Sequence, residues 1–354
     1  MFENASTKDQ VEDVALIRFE NDYTRGAHPT ILQRFVETNE KQTAGYGTDE
    51  ICEQAARLIK RECNNEDVDV HFLVGGTQTN LTVIASILRS HEAVIAPVTG
   101  HIATSETGAI EATGHKVLTI PTETGKITAA QIEAVAAAPE NVHAPKPGMI
   151  FISQSTEFGG VYTKAELLEI KRVANAYELP LFIDGARLGY AFASEENDAT
   201  LADLAEICDV FYIGGTKVGA LFGEAVVIVN DRLKRDFRYL MKQRGALLAK
   251  GRLLGLQFET FFTDDLYYNI AAHAVKMAMK IKAALTQKGI ALAYPATTNQ
   301  LFIELTQGQF EKLSEKYVFA LWKKEEVRVI VRLCTDWSTH EAHVDQLIED
   351  IHAL

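Results

Sequence analysis

A lysine flanked by small residues lies in Gly214-Gly215-Thr216-Lys217-Val218-Gly219, directly after the apolar run Val210 to Ile213. Upstream, apolar Leu181-Phe182-Ile183 runs into Asp184-Gly185-Ala186-Arg187. Short apolar runs ending in polar turns read as buried strands that deliver side chains at their carboxyl ends. One strand delivers a lysine and the other a carboxylate. A buried lysine loses its charge readily, and a neutral amine forms a Schiff base with an aldehyde. A buried carboxylate keeps a pyridinium nitrogen protonated, which makes the ring an electron sink. Together they imply pyridoxal 5'-phosphate (PLP) chemistry. Singly, each has a plainer reading: a lysine after a strand is usually solvated, and Asp-Gly is usually a turn. The pairing, with glycines on both sides of the lysine, favours chemistry and demands a phosphate site.

The chain offers one in Val74-Gly75-Gly76-Thr77-Gln78-Thr79-Asn80. Strand, glycine pair and helix start place free backbone N–H groups and the positive end of a helix dipole at one point. Thr77 adds a hydroxyl. Alone, such a turn reads as a tight connection; its weight comes from opening the first strand–helix unit of the same sheet. His101 follows a further strand and the turn from Pro97 to Gly100. There a flat imidazole is placed to stack on a pyridine ring, although a lone loop histidine is more often a surface residue. Arg187, three residues after Asp184, is expected to reach the cofactor's phenolic oxygen unless it is an ordinary ion-pairing arginine.

These residues need a frame. Strands are expected at Val70-Leu73, Ala93-Ile95, Lys116-Ile120, Met149-Ile152, Leu181-Ile183, Val210-Ile213 and Glu224-Val229, the last one antiparallel. Helices are expected at Asn80-Leu88, from Glu106 to Glu111, and at Ala129-Ala138 and Lys164-Tyr177. This alternation predicts an α/β fold with a mostly parallel central sheet covered by helices on both faces. Ligands in such folds bind beyond the carboxyl ends of the strands. After Asn230 the pattern changes. Arg232 to Thr263 reads as largely helical, and Asp265 to Gln287 as one long helix. Strand Gln300-Leu305, helix Gln309-Lys316, strand Val327-Leu333 and helix Glu341-Ile351 follow. We therefore expect an N-terminal arm (1–18), a large cofactor-binding domain (19–254) and a smaller C-terminal α+β domain (255–354).

Composition narrows the partners. The 354 residues are 47% hydrophobic, enough for a large core. A net charge of −13 without a basic arm or aromatic–basic stripe argues against nucleic acid. Lys323-Lys324 is followed at once by Glu325-Glu326 and reads as a solvated face. Cys52, Cys63, Cys208 and Cys334 form no Cys-x-x-Cys pair and read as buried thiols. No metal site is expected. Met1 to Asp13 is polar and acidic without an apolar signal core, and no segment has the roughly 18 apolar residues of a membrane span. A cytoplasmic protein is expected.

In order and spacing, Gly75-Gly76-Thr77-Gln78, His101 with Glu106, Asp184-Gly185-Ala186-Arg187 and Thr216-Lys217 resemble the threonine aldolases. These are fold-type I PLP enzymes of the β-eliminating lyase group. Val142-His143-Ala144-Pro145-Lys146-Pro147 and the loop from Gly214 through Glu224 are similar to the bacterial low-specificity L-threonine and phenylserine aldolase branch. The likeness runs from about Phe19 to the C-terminus. It implies that Lys217 carries the cofactor as a Schiff base and Asp184 pairs with the pyridinium nitrogen. Gly75, Gly76, Thr77 and Thr216 would line the cofactor site, with phosphate on Gly76 and Thr77, and His101 would stack on the ring. His143 would approach the substrate's β-hydroxyl. Arg332, in Val331-Arg332-Leu333-Cys334, would grip the α-carboxylate, for which a guanidinium fork is suited. Arg187 would hold the phenolic oxygen or the substrate carboxylate.

Three departures stand out. Asn21, in Glu20-Asn21-Asp22-Tyr23-Thr24, occupies a position usually held by serine, where it can still donate to a carboxylate. Gln154-Ser155-Thr156-Glu157 stands where many relatives have Asn-Thr-His. Lys242 replaces an arginine that often reaches a neighbouring subunit's phosphate. The implied reaction is retro-aldol cleavage of a β-hydroxy-α-amino acid to glycine and an aldehyde, with His143 or His101 as the base. β-Elimination, transamination and a catalytically silent PLP fold are the rivals. The family also implies a homo-oligomer, a dimer or a tetramer, with Tyr46 or Lys242 shared between subunits.

Overall fold

The computed structural model describes residues 16–354. Most of the expected N-terminal arm, including the polar stretch Met1 to Asp13, lies outside the described residues. The described chain opens with strand β1 (Ile17–Arg18), helix α1 (Pro29–Thr38) and helix α2 (Glu50–Glu62). An alternating stretch follows: β2 (Asp69–Leu73), α3 (Gly76–Ile87), β3 (Glu92–Pro97), α4 (His101–Thr104), β4 (Lys116–Ile120), α5 (Ala129–Ala136), β5 (Lys146–Ser153), α6 (Lys164–Ala176) and β6 (Leu181–Asp184). Helices α7 (Leu188–Phe192) and α8 (Leu201–Ile207) lead to β7 (Val210–Gly214) and β8 (Glu224–Ile228). Helices α9 (Asp231–Lys234), α10 (Phe237–Gln243), α11 (Arg252–Phe261) and α12 (Leu266–Lys288) come next. The chain ends with β9 (Gln300–Leu305), α13 (Gln307–Ser314), β10 (Tyr317–Val318), β11 (Ala320–Lys324), β12 (Val329–Cys334) and α14 (Glu341–His352).

Seven strands form the central sheet in the order β2-β8-β7-β6-β5-β3-β4. All run one way except β8, which is antiparallel to both neighbours. The expected fold class holds, including the antiparallel strand at Glu224. Covered on both faces, the five inner strands are apolar nearly throughout rather than alternating. Ile150, Ile152, Ile183 and Phe211 face one core, whereas Phe151, Phe182, Val210 and Tyr212 face the other. Register lines up the carboxyl ends. Ser153 is opposite Asp184, and Glu224, the first residue of the reversed strand, is opposite both Gly214 and Leu73.

A smaller antiparallel sheet, β11-β12-β9, packs with α12, α13 and α14. Helix α12 belongs to both halves. Its Ile270, Ala271, Ala274 and Val275 lie in the large core, and its Met277, Ala278, Ile281 and Leu285 in the small one. The boundary expected at 255 falls inside α11, whose Phe258 and Phe261 pack in the large core. The N-terminal segment also departs from the expected division. β1 pairs with β10, and Phe19 packs in the small-domain core.

Two local expectations are corrected. No helix runs from Glu106 to Glu111, because Thr107 and Gly108 both take positive φ angles (53° and 72°); instead α4 starts at His101. The helical stretch from Arg232 breaks at Asp236 and Gly245, which also have positive φ. Lys323-Lys324 is exposed, as expected of a solvated face, at the end of strand β11. All four cysteines are buried and free. No helix among the described residues is long and apolar enough to cross a membrane. Nor do the described residues contain a cluster of three potential metal ligands from His, Cys, Asp and Glu.

Candidate active site

The carboxyl ends of β2, β3, β5, β6 and β7 converge on one cavity. Its lining includes Gly76, His101, Glu157, Asp184, Arg187 and Lys217. Ser153, Ser155, Ala186 and Tyr212 complete it. Residues up to 141 positions apart in sequence thus meet because parallel strands end at the same edge.

Lys217 is half-buried in the loop after β7. Tyr190 Oη donates to its backbone carbonyl at 2.6 Å, which fixes the loop. Burial, aided by the Arg187 guanidinium, pushes the Lys217 ammonium below the ordinary lysine range. That favours the neutral amine that Schiff-base chemistry needs. Across the loop, Glu224 accepts from Gly215 N at 3.1 Å and from Thr216 Oγ1 at 3.0 Å. Burial raises the Glu224 carboxyl, against the pull of Lys217. Thr216 therefore braces the lysine loop through its side chain.

Three donors converge on Asp184. Tyr212 Oη donates to Oδ1 at 2.5 Å, Ala186 N to Oδ1 at 3.0 Å, and Asn80 Nδ2 to Oδ2 at 3.1 Å. The same Asn80 Nδ2 donates to Glu106 Oε1 at 2.7 Å. Glu106 Oε1 in turn lies 2.8 Å from His101 Nδ1. A continuous network thus ties His101, Glu106, Asn80 and Asp184 into one frame. The His101 backbone N–H donates to Glu157 Oε1 at 2.9 Å, so this histidine is held by ring and backbone alike.

The glycine turn is built for an anion. Helices α5, α6, α8 and α13 each begin with a threonine capping box that satisfies their first amides. α3 begins instead at Gly75 with no side-chain cap. A Cβ at Gly75 would meet nothing within 4 Å, and one at Gly76 would lie 3.3 Å from Tyr212 Oη. Uncapped amides at the start of a 12-residue helix, beside open space, fit a phosphate. The turn is anchored from behind, where Gln78 accepts from Val74 N and donates to Arg244 O. A half-buried lysine, a braced carboxylate and an uncapped helix start surround a cavity in which Ser155 Oγ and Glu157 Oε2 have no partner. This donor set fits PLP.

Other expected residues are placed differently. The Arg187 fork is already taken: Nε and Nη2 donate to Asp22 at 2.7 and 3.0 Å. Burial alone would raise the Asp22 carboxyl, but Arg187 and Lys217 hold it at about 2. Asn299 Nδ2 adds a bond to Asp22 at 2.9 Å. Arg187 is therefore a fixed cation at the cavity wall rather than a fork free for a carboxylate. Arg332 Nη2 donates to Glu20 O at 3.1 Å, and its buried Nε has no partner. Asn21 uses its side-chain oxygen to accept from Tyr23 N at 2.9 Å. Thr77 is exposed at the helix start.

His143 is not in this site. It is exposed in the loop that precedes β5, at the amino end of the sheet, where its backbone N–H donates to Asn141 Oδ1. The eight residues of β5 separate it from the cavity by roughly 25 Å of strand. The direction of β5 places His143 at the opposite edge of the sheet from the site. Tyr46 and Lys242 are exposed, and the Lys242 ammonium lies 4.6 Å from the Tyr46 ring of the same chain. Four contributors were not singled out from sequence: Asp22, Asn80, Tyr212 and Glu157. Asn80 had a signal, since it follows Gly76 by one helical turn. Glu157 had one too, since it follows β5 at the carboxyl end.

Comparison with known proteins agrees with this fold. Residues 24–334 match the beta-eliminating lyase family. A low-specificity L-threonine aldolase from Pseudomonas sp. (strain NCIMB 10558) is 33% identical over 95% of this chain and 97% of its own. The fold superposes on a Leishmania major threonine aldolase structure with a TM-score of 0.94, at 47% identity over 95% of this chain and 99% of that one. Sphingomonas wittichii serine palmitoyltransferase, 13% identical with a TM-score of 0.72 over 96% of this chain and 86% of its own, shares the fold alone. With family match, identity and architecture in accord, the chain belongs to the beta-eliminating lyase family, within its low-specificity L-threonine aldolase group.

Proposed function

We propose that this protein is a PLP-dependent aldolase that cleaves L-threonine, L-allo-threonine and related β-hydroxy-α-amino acids, phenylserine included, to glycine and an aldehyde. The observation that carries this is the half-buried Lys217, lowered toward its neutral form, in one cavity with the braced carboxylate of Asp184. When bound, PLP supplies an aldehyde for the amine and a ring that accepts the electron pair of the breaking bond. Lys217 would hold the cofactor through its amine and release it to the substrate amine. Asp184, fixed by Tyr212, Asn80 and Ala186, holds the pyridine nitrogen in its charged form. The uncapped amides of α3, with Thr77, take the phosphate. His101, locked by Glu106, would pack against the ring. The unpartnered Nε of Arg332 and the side-chain amide of Asn21 provide donors for the substrate carboxylate. Fixing that carboxylate orients the Cα–Cβ bond for cleavage, and orientation of this kind supplies much of a catalyst's power.

The partner is thus a small amino acid. We further propose a cytoplasmic homo-oligomer, a dimer or tetramer, in which the exposed Tyr46–Lys242 pair meets a second subunit. Closed symmetry is the common state of soluble oligomers. The test is direct: purified protein with PLP is given L-threonine, L-allo-threonine and L-phenylserine. Equal amounts of glycine and aldehyde are expected. A 2-oxo acid with ammonia would mark β-elimination, and a 2-oxo acid formed only with an amino acceptor would mark transamination; either overturns the proposal.

A further inference from the structure

With His143 at the far end of the sheet, the cleavage chemistry lacks one of its two expected bases. Two cavity-lining residues carry buried polar atoms without a partner: Ser155 Oγ and Glu157 Oε2. A serine hydroxyl is a poor base at neutral pH, whereas a carboxylate is an acceptor by nature. The two Glu157 oxygens are treated unequally. Oε1 accepts from Ser153 Oγ at 2.7 Å and from His101 N at 2.9 Å. Both donors act on one oxygen and leave the other open.

The loop that carries Glu157 is clamped from both sides. Gln154 accepts from Tyr162 N at 2.9 Å and donates to Tyr162 O at 3.0 Å. Phe158, the next residue, stacks on Tyr294 with ring centroids 3.8 Å apart. Thr297 N and Thr298 Oγ1 both donate to Gly159 O. A carboxylate held this firmly, with one oxygen unpaired at a substrate cavity, is preorganised for an incoming donor. Of the groups on a β-hydroxy-α-amino acid, the β-hydroxyl is the donor whose proton must leave during cleavage.

We infer that Glu157 is the catalytic base that takes the β-hydroxyl proton of the substrate on its Oε2. This rests on the aldolase reading above. The O–H bond breaks and its proton moves to Glu157. The freed pair becomes the second bond of the aldehyde carbonyl, the Cα–Cβ bond breaks, and its pair stays with the glycine fragment. One proton then joins Cα, so the proton lost from the hydroxyl is balanced by the one gained in glycine. Burial, with the Asp184 charge adding to it, raises the Glu157 carboxyl against the bonds from Ser153 and His101. A base raised toward the working pH is a stronger one than an exposed glutamate. The charged and titratable groups around it are Asp184 and Arg187 from the end of β6, Tyr212 and Lys217 from β7 and its loop, and His101 on α4.

The test compares wild-type holoenzyme with Glu157→Gln. The amide keeps size and an acceptor oxygen for Ser153 and His101, but it cannot take a proton. Cleavage of L-threonine and L-phenylserine should fall about a hundredfold in kcat, the usual cost of losing one general base. Glycine binding by calorimetry, the PLP absorbance spectrum and exchange of the glycine α-proton in heavy water should match wild type, because glycine has no β-hydroxyl. Full cleavage by E157Q overturns the inference, as does loss of glycine binding and exchange, which would mark a positioning residue. A second measurement needs no variant. The wild-type kcat for cleavage should decline on the acid side through a group above the ordinary glutamate range, and glycine exchange should lack that decline. A shared decline overturns the inference even if E157Q does not fold. Wild-type protein that exchanges glycine but cleaves no β-hydroxy amino acid overturns the aldolase reading and this inference with it; full cleavage by E157Q overturns the inference alone.

Discussion

At the carboxyl end of the central sheet, His101 is fixed by a 2.8 Å contact to Glu106 and by a backbone bond to Glu157. At the amino end, His143 is exposed between prolines and free side chains, beside a Val142 that is 95% exposed. The two ends belong to the same strands, yet they differ in electrostatics. The carboxyl end gathers Asp22, Glu157, Asp184, Arg187, Lys217 and Glu224; burial raises Glu157 and Glu224 and lowers Lys217, while the mutual attraction of Asp22 and Arg187 overrides burial in that pair. The amino end is a cleft lined mainly by apolar groups such as Leu118, Val135, Pro139 and Tyr177. Strands that run parallel bring their final residues together and send their connections, helix by helix, to the other edge. Chemistry collects where loops are held by strand ends and charges are buried in pairs. A histidine's position relative to strand direction thus decides what it can do.

The sharpest way to break this contrast is at Lys217. Lys217→Ala should abolish turnover and remove the absorbance of cofactor bound to the lysine, although the phosphate turn still holds PLP noncovalently. Activity within tenfold of wild type, or unchanged absorbance before and after borohydride, would place the reactive amine elsewhere.

Asp184→Asn comes next. The amide retains size and some of the bonds from Tyr212, Ala186 and Asn80, so the fold should persist. It cannot hold a positive charge on the ring nitrogen. Removal of a preorganised electrostatic partner costs about 10² to 10³ in kcat. Steady-state kinetics beside a far-ultraviolet spectrum would check both halves, and near-normal kcat would refute the role.

Much of this end was legible in sequence because its strands are continuous apolar runs that stop at polar residues. Val210 to Ile213 and Leu181 to Ile183 pointed to Lys217 and Asp184 for that reason. The residues that brace them were not legible. Tyr212 lies within a strand and reads as core, yet its hydroxyl reaches Asp184 on the neighbouring strand. Asp22 lies 165 residues from Arg187, and no local pattern reveals a pair closed by tertiary folding. His143 precedes β5, whose site end is Ser153, so a motif at the amino end of a strand gives no access to chemistry at its carboxyl end. β11 was not legible because its apolar residues Ala320, Leu321 and Trp322 run straight into the charged Lys323-Lys324-Glu325-Glu326, which reads as polar surface.

The Asp22–Arg187 pair offers a third test, on stability. Asp22 is fully buried and held at about 2 against an ordinary 3.8. A lowered carboxyl contributes stability that is present above its unfolded value and lost as pH falls through the folded one. The shift corresponds to about 2 kcal/mol, lost between roughly pH 4 and pH 2. Asp22→Asn also leaves the buried Arg187 charge without its partner, a change that typically costs about 3 kcal/mol. Urea unfolding at pH 7 and at low pH should show a less stable variant whose stability depends less on acid. Equal stability at pH 7 would mean that Arg187 finds another partner.

The smallest expected effect tests the comparison itself. His143→Phe removes the imidazole from a proline-flanked loop whose other titratable side chain is Glu140. The loop is exposed and lies a full strand length from the cavity, so the change touches no group that binds cofactor or substrate. An exposed substitution away from caps and buried polar groups typically alters stability by no more than about 0.5 kcal/mol. We expect kcat and KM for L-threonine and L-phenylserine to match wild type across the pH range, with an unchanged PLP spectrum. If kcat falls tenfold or more while the variant remains folded, His143 reaches a reacting group by a route that one chain does not provide. In that case the amino-end loop of one subunit would have to enter the carboxyl-end cavity of another. Light scattering on the same samples separates the outcomes, because a dependence of activity on subunit association is then required. Unchanged kinetics would leave the two ends of the sheet with separate roles, as their burial and charge already divide them.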